Sequence, residues 1–395
     1  MALTAAMFWL WLGGGALVLA DSKPNPDKTF VNPLEITTPD PLLPQSDQPL
    51  TPQEQLKLKA ALDELNQQAA AKLATGDRMG AFDTWNRELR LRRALGPLEE
   101  VEALGRVGAI AWREKQRTEV QVITKRLQAI QQQTTSQPTV NLQLLRSLGV
   151  AFQQVREPKS AIAVYEQILA AARQQKDAAA VETTLSTIAE LHLSWFDYPQ
   201  AAATYEELLG LARARSDHNR VVTYLQQLAY IYEKARQHQQ ALTVRQQLAE
   251  LYLNEKQFTL LPALRLEIGA DYEALGQLQE AFRNYQEAYS SAWSLQRYSL
   301  ASDALRQLIA LYRSQGQIDE ALQTSQILLE TDQRAYNFYG MMTTYDQIGQ
   351  LYLSRGNYSE ALAAFQKGLE LAQQLKYQET HFAQQIAQVN QQISK

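Results

Sequence analysis

In residues 342–377, MTTYDQIGQLYLSRGNYSEALAAFQKGLELAQQLKY, apolar side chains at Tyr345, Ile348, Leu351 and Tyr352 recur at three- and four-residue intervals. That is the period of one helix face. Gly356 and Asn357 interrupt it, and a second run follows with Tyr358, Ala361, Leu362, Phe365 and Leu369 on its inner stripe. Gly349 on the first run and Ala361 on the second are small, as close approach of two antiparallel helices requires. The stretch predicts a helical hairpin.

The hairpin recurs every forty residues. Ala161, Ala201, Ala241, Ala281, Ala321 and Ala361 mark the second helices, and Gly149, Ala189, Ala229, Gly269, Ile309 and Gly349 mark the first. Three residues beyond each first-helix position stand Phe152, His192, Tyr232, Tyr272, Tyr312 and Tyr352. Four beyond each alanine stand Tyr165, Tyr205, Arg245, Tyr285, Ser325 and Phe365. Two fainter copies precede these, one around Gly108 and Trp112, the other through Ala69, Gly76, Ala81 and Trp85. Self-similarity at a fixed period is the mark of a solenoid, in which stacking supplies the core that no single repeat can build. The predicted class is all-α, an α-solenoid.

The combinations Gly269, Tyr272, Ala281, Tyr285 and Gly349, Tyr352, Ala361, Phe365 resemble the tetratricopeptide repeat. The resemblance implies eight repeat units over residues 53–377. The period exceeds the usual thirty-four by six residues, enough to lengthen the helices by about a turn and a half at ~3.6 residues per turn. Gln378 to Ile393 has Phe382, Ile386, Val389 and Ile393 on one stripe and glutamines elsewhere, which predicts a capping helix within 378–395. The family is a scaffold for partner proteins, so what the resemblance implies is a client peptide held in the groove lined by the first helices. Its members that grip chaperone tails use lysine and asparagine at set groove positions. Here the position next to the small residue reads Val150, Glu190, Tyr230, Ala270, Ala310 and Gln350, without asparagine, so that clamp is missing.

At the N-terminus, residues 1–20 carry no charged side chain, and Ala5 to Leu19 is continuously apolar. This predicts an export signal, with Val18 and Ala20 suiting cleavage before Asp21, or a retained membrane anchor. Residues 21–52 hold eight of the chain's thirteen prolines and a net charge of minus three. They are expected to form an extended, disordered leader. The whole chain carries minus four, so the repeats are close to neutral, against the basic stripe that nucleic acid needs. Thr51, Pro52 and Glu54 spell a capping box that starts the solenoid. Cysteine is absent, which excludes disulfides, thiolate zinc sites and a cysteine nucleophile.

Catalytic patterns are also missing. The four histidines fall at unrelated repeat positions, and no HExxH, GxSxG or phosphate-binding loop is present. A non-enzymatic protein that requires no cofactor is expected. The tyrosine ladder at Tyr232, Tyr272, Tyr312 and Tyr352 shares the face of the small residues and reads as core. Candidate partner-binding residues lie on the other side of the first helices: Arg146, Glu190, Gln226, Tyr230, Asp303, Arg306, Arg313, Asp346 and Gln350. Glu233 and Glu273 hold one groove position in adjacent repeats, and with Asp303 they form a candidate oxygen site for manganese or another hard cation. Pairing with Lys234, Arg306 or Arg313, or plain exposure to water, is the alternative.

The layout of apolar segment, proline-rich leader and eight long repeats, with WNRELRLRRALG from Trp85, is similar to the processing-associated repeat proteins of the cyanobacterial periplasm. The similarity implies photosystem II assembly, through binding of the reaction-centre subunit's carboxyl-terminal tail and help in loading manganese. An exported or membrane-anchored hub for another envelope or secretion complex is the alternative, and an enzyme-associated regulatory subunit is a third.

Overall fold

The computed structural model describes residues 32–44, 49–135 and 141–394. The expected export or anchor segment at 1–20 lies outside them. Seventeen α-helices and two short 3-10 turns account for the described residues, which contain no strand. The helices are α1 (Pro52–Ala74), α2 (Arg78–Arg92), α3 (Pro97–Arg113), α4 (Arg117–Thr135), α5 (Leu142–Gln154), α6 (Pro158–Gln174), α7 (Ala178–Ser194), α8 (Tyr198–Ala214) and α9 (His218–Lys234). They continue as α10 (His238–Asn254), α11 (Leu261–Ala274), α12 (Leu278–Ser294), α13 (Tyr298–Ser314), α14 (Ile318–Arg334), α15 (Phe338–Ser354), α16 (Tyr358–Leu375) and α17 (Glu379–Ile393). These pair as eight antiparallel hairpins followed by a single helix, the α-solenoid that the forty-residue period predicts. Two compact units divide the chain, with the boundary inside α5.

The first unit contains α1 to α4 and the end of α5. The capping box forms as expected: Thr51 Oγ1 accepts from the Glu54 amide at 3.3 Å, and the Thr51 amide donates to Glu54 Oε2 at 2.8 Å. Leu58, Leu62, Leu65 and Leu91 make one core cluster, onto which Leu43 and Leu50 pack. The leader therefore departs from its expected disorder over residues 32–44. Leu34 is buried, Arg90 Nη1 donates to the Pro33 carbonyl at 2.6 Å, and Arg87 grips Asp40 with two bonds of 2.7 and 2.9 Å. The physical reason is that the folded α2 offers Arg87 and Arg90 as partners for the Asp40 carboxylate and the Pro33 carbonyl, contacts that the leader's own composition does not announce.

The second unit holds residues 137–149 and 157–395. From α6 onward its helices are mostly 17 residues long and joined by three-residue turns. All six register alanines from Ala161 to Ala361 have no solvent exposure. The first-helix glycines face the aromatic of their own hairpin: a Cβ on Gly149, Gly269 or Gly349 would come within 2.5–2.8 Å of the Tyr165, Tyr285 or Phe365 ring. Where the first helix carries Ile309, the register puts Ser325 at the aromatic position, so volume is conserved across the contact. The tyrosine ladder is core as predicted, with Tyr232 buried and Tyr272, Tyr312 and Tyr352 half-buried. At the end, α17 seats Phe382 and Val389 with no exposure beside Phe365 and Ala372, the capping role its stripe predicts.

The helices end in left-handed residues at a regular step of twenty, from Arg156 through Lys176, Phe196, Ser216, Arg236 and Lys256 to Gln296, Tyr336 and Lys376, with Gly276, Gly316 and Gly356 filling three of the places. This conformation lets the residue's own amide and the next one close onto carbonyls of the last turn, as Arg236 and Gln237 do onto Glu233 and Tyr232.

Candidate client-binding face

First-helix positions next to the small residue project away from the packed stripe. Glu190, Tyr230, Ala270, Ala310 and Gln350 of the second unit are all exposed, as is Val150 in the first. Arg146, Gln226, Asp303 and Arg313 are exposed too, while Arg306 and Asp346 are half-buried. Several of these polar residues are engaged within the chain. Gln226 donates to the Tyr252 hydroxyl at 2.9 Å, and Arg306 bridges Asp303 at 2.9 Å and the fully buried Asp332 at 2.8 Å. Asp346 meets His381 of α17 at 2.9 Å, and Gln350 meets Gln385 at 3.0 Å.

The most differentiated part of the face lies where α9, α10 and α11 meet. Arg245 occupies an aromatic slot of the repeat, and the buried Asp271 stands where neighbouring repeats carry Leu191, Ile231, Leu311 and Leu351. A charged pair thus replaces an aromatic and aliphatic pair. Arg245 donates to Asp271 at 2.6 Å, Glu267 at 3.0 Å and Glu233 at 2.5 Å, and His238 Nδ1 lies 3.3 Å from the other Asp271 oxygen. Burial pushes the Glu233 carboxyl up, but the hydrogen bond and charge of Arg245 outweigh it and hold it below the usual range. Beside this network opens a cavity of about 300 Å³ lined by the buried Leu248 and Leu264 together with Tyr230, Glu233 and Glu267, with the exposed Leu260 at its border. Tyr230 is half exposed, and the Lys234 ammonium sits 5.2 Å from its ring centre. The network of Glu233, Glu267 and Asp271 with Arg245 and Lys234 carries one net negative charge, and Glu233 and Glu267 present it at the cavity, so the arrangement suits a basic side chain whose stem covers the apolar lining.

Of the sequence candidates, Gln226, Tyr230 and Glu233 come together here, and the rest are spread along the other first helices. Arg245, Glu267 and Asp271 were not among them. The signal that points to them is the breakdown of the repeat itself, one arginine in an aromatic series and one aspartate in an aliphatic one.

Glu233 and Glu273 do not form the oxygen site their repeat position suggested. Arg245 and Lys234 hold Glu233, the Tyr285 hydroxyl donates to Glu273 at 2.8 Å, and Asp303 pairs with Arg306. Each carboxylate is neutralised or hydrogen-bonded within its own repeat, so the set does not fit a manganese ion. No cluster of three or more acidic or histidine side chains among the described residues is arranged around a common metal position.

The fold is that of an α-solenoid repeat protein, and over two stretches its repeats match the tetratricopeptide kind. The tetratricopeptide repeat profile matches residues 144–179 and 300–374. Among solved structures, BtubC from P. vanneervenii is similar at 17% identity and a TM-score of 0.40, covering 55% of this chain and 92% of that one. The apo form of RapI is similar at 11% identity and a TM-score of 0.40, covering 85% and 98%. Aspartyl phosphate phosphatase F from Bacillus subtilis is similar at 15% identity and a TM-score of 0.42, covering 70% and 76%. No curated protein sequence matches the chain.

Proposed function

We propose that the chain is a non-enzymatic scaffold that holds an extended segment of a client protein along its first helices, with the pocket at Tyr230 receiving a basic side chain. The observation that carries this reading is the acidic, apolar-lined pocket on a face whose register position is exposed in every repeat from Glu190 to Gln350. Peptide segments gain affinity from a few desolvated anchors, and a half-exposed tyrosine beside paired carboxylates is such an anchor site.

The client we infer is the carboxyl-terminal tail of a photosystem II reaction-centre subunit, met in the periplasm during assembly. Support for this comes from the sequence layout. In WNRELRLRR, Trp85, Asn86, Glu88, Leu89, Leu91 and Arg92 are buried in the first unit, where Glu88 pairs with Arg92 at 3.0 Å and Arg106 at 2.6 Å. That stretch therefore serves packing, and the client contacts fall to the second unit. Manganese has no part in the proposed contacts.

Titration of a labelled tail peptide into the purified chain tests the reading. Tyr230→Ala is expected to weaken binding about tenfold or more, as for an interface anchor. A peptide that binds parent and variant alike would remove the pocket from the function, and a peptide that binds neither would remove this client.

A further inference from the structure

The two rows of turns in the second unit differ in chemistry. Turns that join one hairpin to the next form a continuous edge. Arg297 Nη1 donates to the Thr259 carbonyl at 2.7 Å, Arg334 lies 5.1 Å from the Trp293 ring and 6.0 Å from the Tyr298 ring, and Tyr339 and Tyr377 meet at 5.8 Å. Of the fourteen exposed large apolar side chains described in residues 157–394, nine lie on this edge, Phe258, Leu260, Tyr336, Phe338, Tyr339 and Tyr377 among them. The turns within hairpins carry two, Trp195 and Phe196, so the clustering is specific to one edge.

Charge follows the same division. Across 253–260, 293–299, 333–340 and 373–378, the last four turns of the edge, stand Lys256, Arg297, Arg334 and Lys376 against Glu255, with Arg334 also paired to Glu330 at 3.2 Å. The facing turns at 234–240, 274–280, 314–320 and 354–360 carry four acids and three bases. Backbone conformation adds an independent sign. All three glycines at the left-handed turn positions, Gly276, Gly316 and Gly356, belong to the facing turns, whereas the edge keeps side chains there throughout. One of them is Tyr336, at φ 55° and 82% exposed. A bulky residue in that region is strained and exposed to water at once, which points to a use outside the fold.

We propose that this edge docks on the anionic surface of a lipid bilayer, with the aromatic tips entering the headgroup region and Lys256, Arg297, Arg334 and Lys376 facing lipid phosphates. Tyrosine and tryptophan have an apolar body and a polar end suited to that depth, and basic residues between them complement the surface charge. A row of separate turn tips meets a planar surface without needing a groove. Apart from Leu260, which borders the client pocket, the edge leaves the first-helix face to the client, and the apolar run at Ala5 to Leu19 is a second membrane element expected from the sequence.

Because the chain has no cysteine, a single Gln296→Cys substitution in the full-length protein places an environment-sensitive fluorophore on the edge without removing an aromatic. Gln315→Cys labels a facing turn. With vesicles of phosphatidylglycerol and phosphatidylcholine, the label at 296 is expected to shift to the blue and to be quenched by spin-labelled lipids, and the label at 315 to stay in water. Pure phosphatidylcholine, high salt, or Tyr336→Ser with Phe338→Ser should each weaken the edge response by about tenfold. The proposal is overturned if vesicle-bound protein keeps the 296 label in water, if both labels respond equally, or if the chain ignores vesicles. A 296 label that answers to protein fractions of the native cell but not to lipid also overturns it and assigns the edge to a protein partner.

Discussion

At Arg245 and Asp271, one repeat joint substitutes a buried ion pair for the packing used elsewhere, and this substitution is testable residue by residue. Arg245→Tyr leaves the buried Asp271 with only His238 beside it and is expected to cost ~3–5 kcal/mol in denaturant unfolding, whereas Asp271→Leu leaves Arg245 bonded to Glu233 and Glu267 and should cost less. The double variant restores the pattern of the neighbouring repeats and is expected to be neutral or more stable than the parent. Additive losses would mean the two residues do not act as a pair. The register alanines make a simpler case. Ala281 has no exposure, and Ala281→Leu should cost ~1–3 kcal/mol through overpacking. Unchanged thermal unfolding would contradict the register. Both the alanine register and the exposed position one residue beyond the first-helix small residue were legible in the sequence, because a fixed period converts spacing into side-chain direction. The partners of Glu233 and Glu273 were not. Which carboxylate meets which arginine depends on side chains converging from three helices, and no spacing rule encodes that.

Among the elements, the leader is the one whose structure the sequence did not reveal. Its prolines and scattered charges read as free chain, yet Leu34 is buried and Asp40 and the Pro33 carbonyl each find an arginine on the folded α2. The hydrogen bond from Arg87 leads the causes that hold the Asp40 carboxyl below its usual range. Its folded pKa is thus lower than its unfolded value, so its contribution is complete above the unfolded value near ~3.9 and is lost as pH falls through the folded one. Limited proteolysis between residues 32 and 44 should therefore accelerate below about pH 4 in the parent, and Asp40→Asn should show the acid rate already at neutral pH. A pH-independent rate would contradict the role given to this pair. At the opposite end, α17 was legible from its stripe. A Cβ on Gly368 would stand 2.1 Å from Phe382, so cap and last hairpin are fitted closely. Deleting α17 uncovers Phe365 and Ala372, and lowered solubility is the expected outcome. A truncated chain as soluble and stable as the full one would make the cap dispensable.

For the whole molecule, the central claim is that repeats stacked at a fixed period present one first-helix face to a client, and that this face, with its pocket at Tyr230, is where the client is held. The fold was readable because each repeat restates it. The client was not, since the residues that name it are those where the repeat pattern lapses. Site-specific photo-crosslinking in the native cell tests the claim most directly. A photoreactive amino acid at 190, 230 or 350 is expected to capture one client, with the adducts mapping in order along a single extended segment of it. The same group at 315, on a turn away from the face, should not. Adducts that are equal at 230 and 315, or absent from all three face positions, would contradict the account.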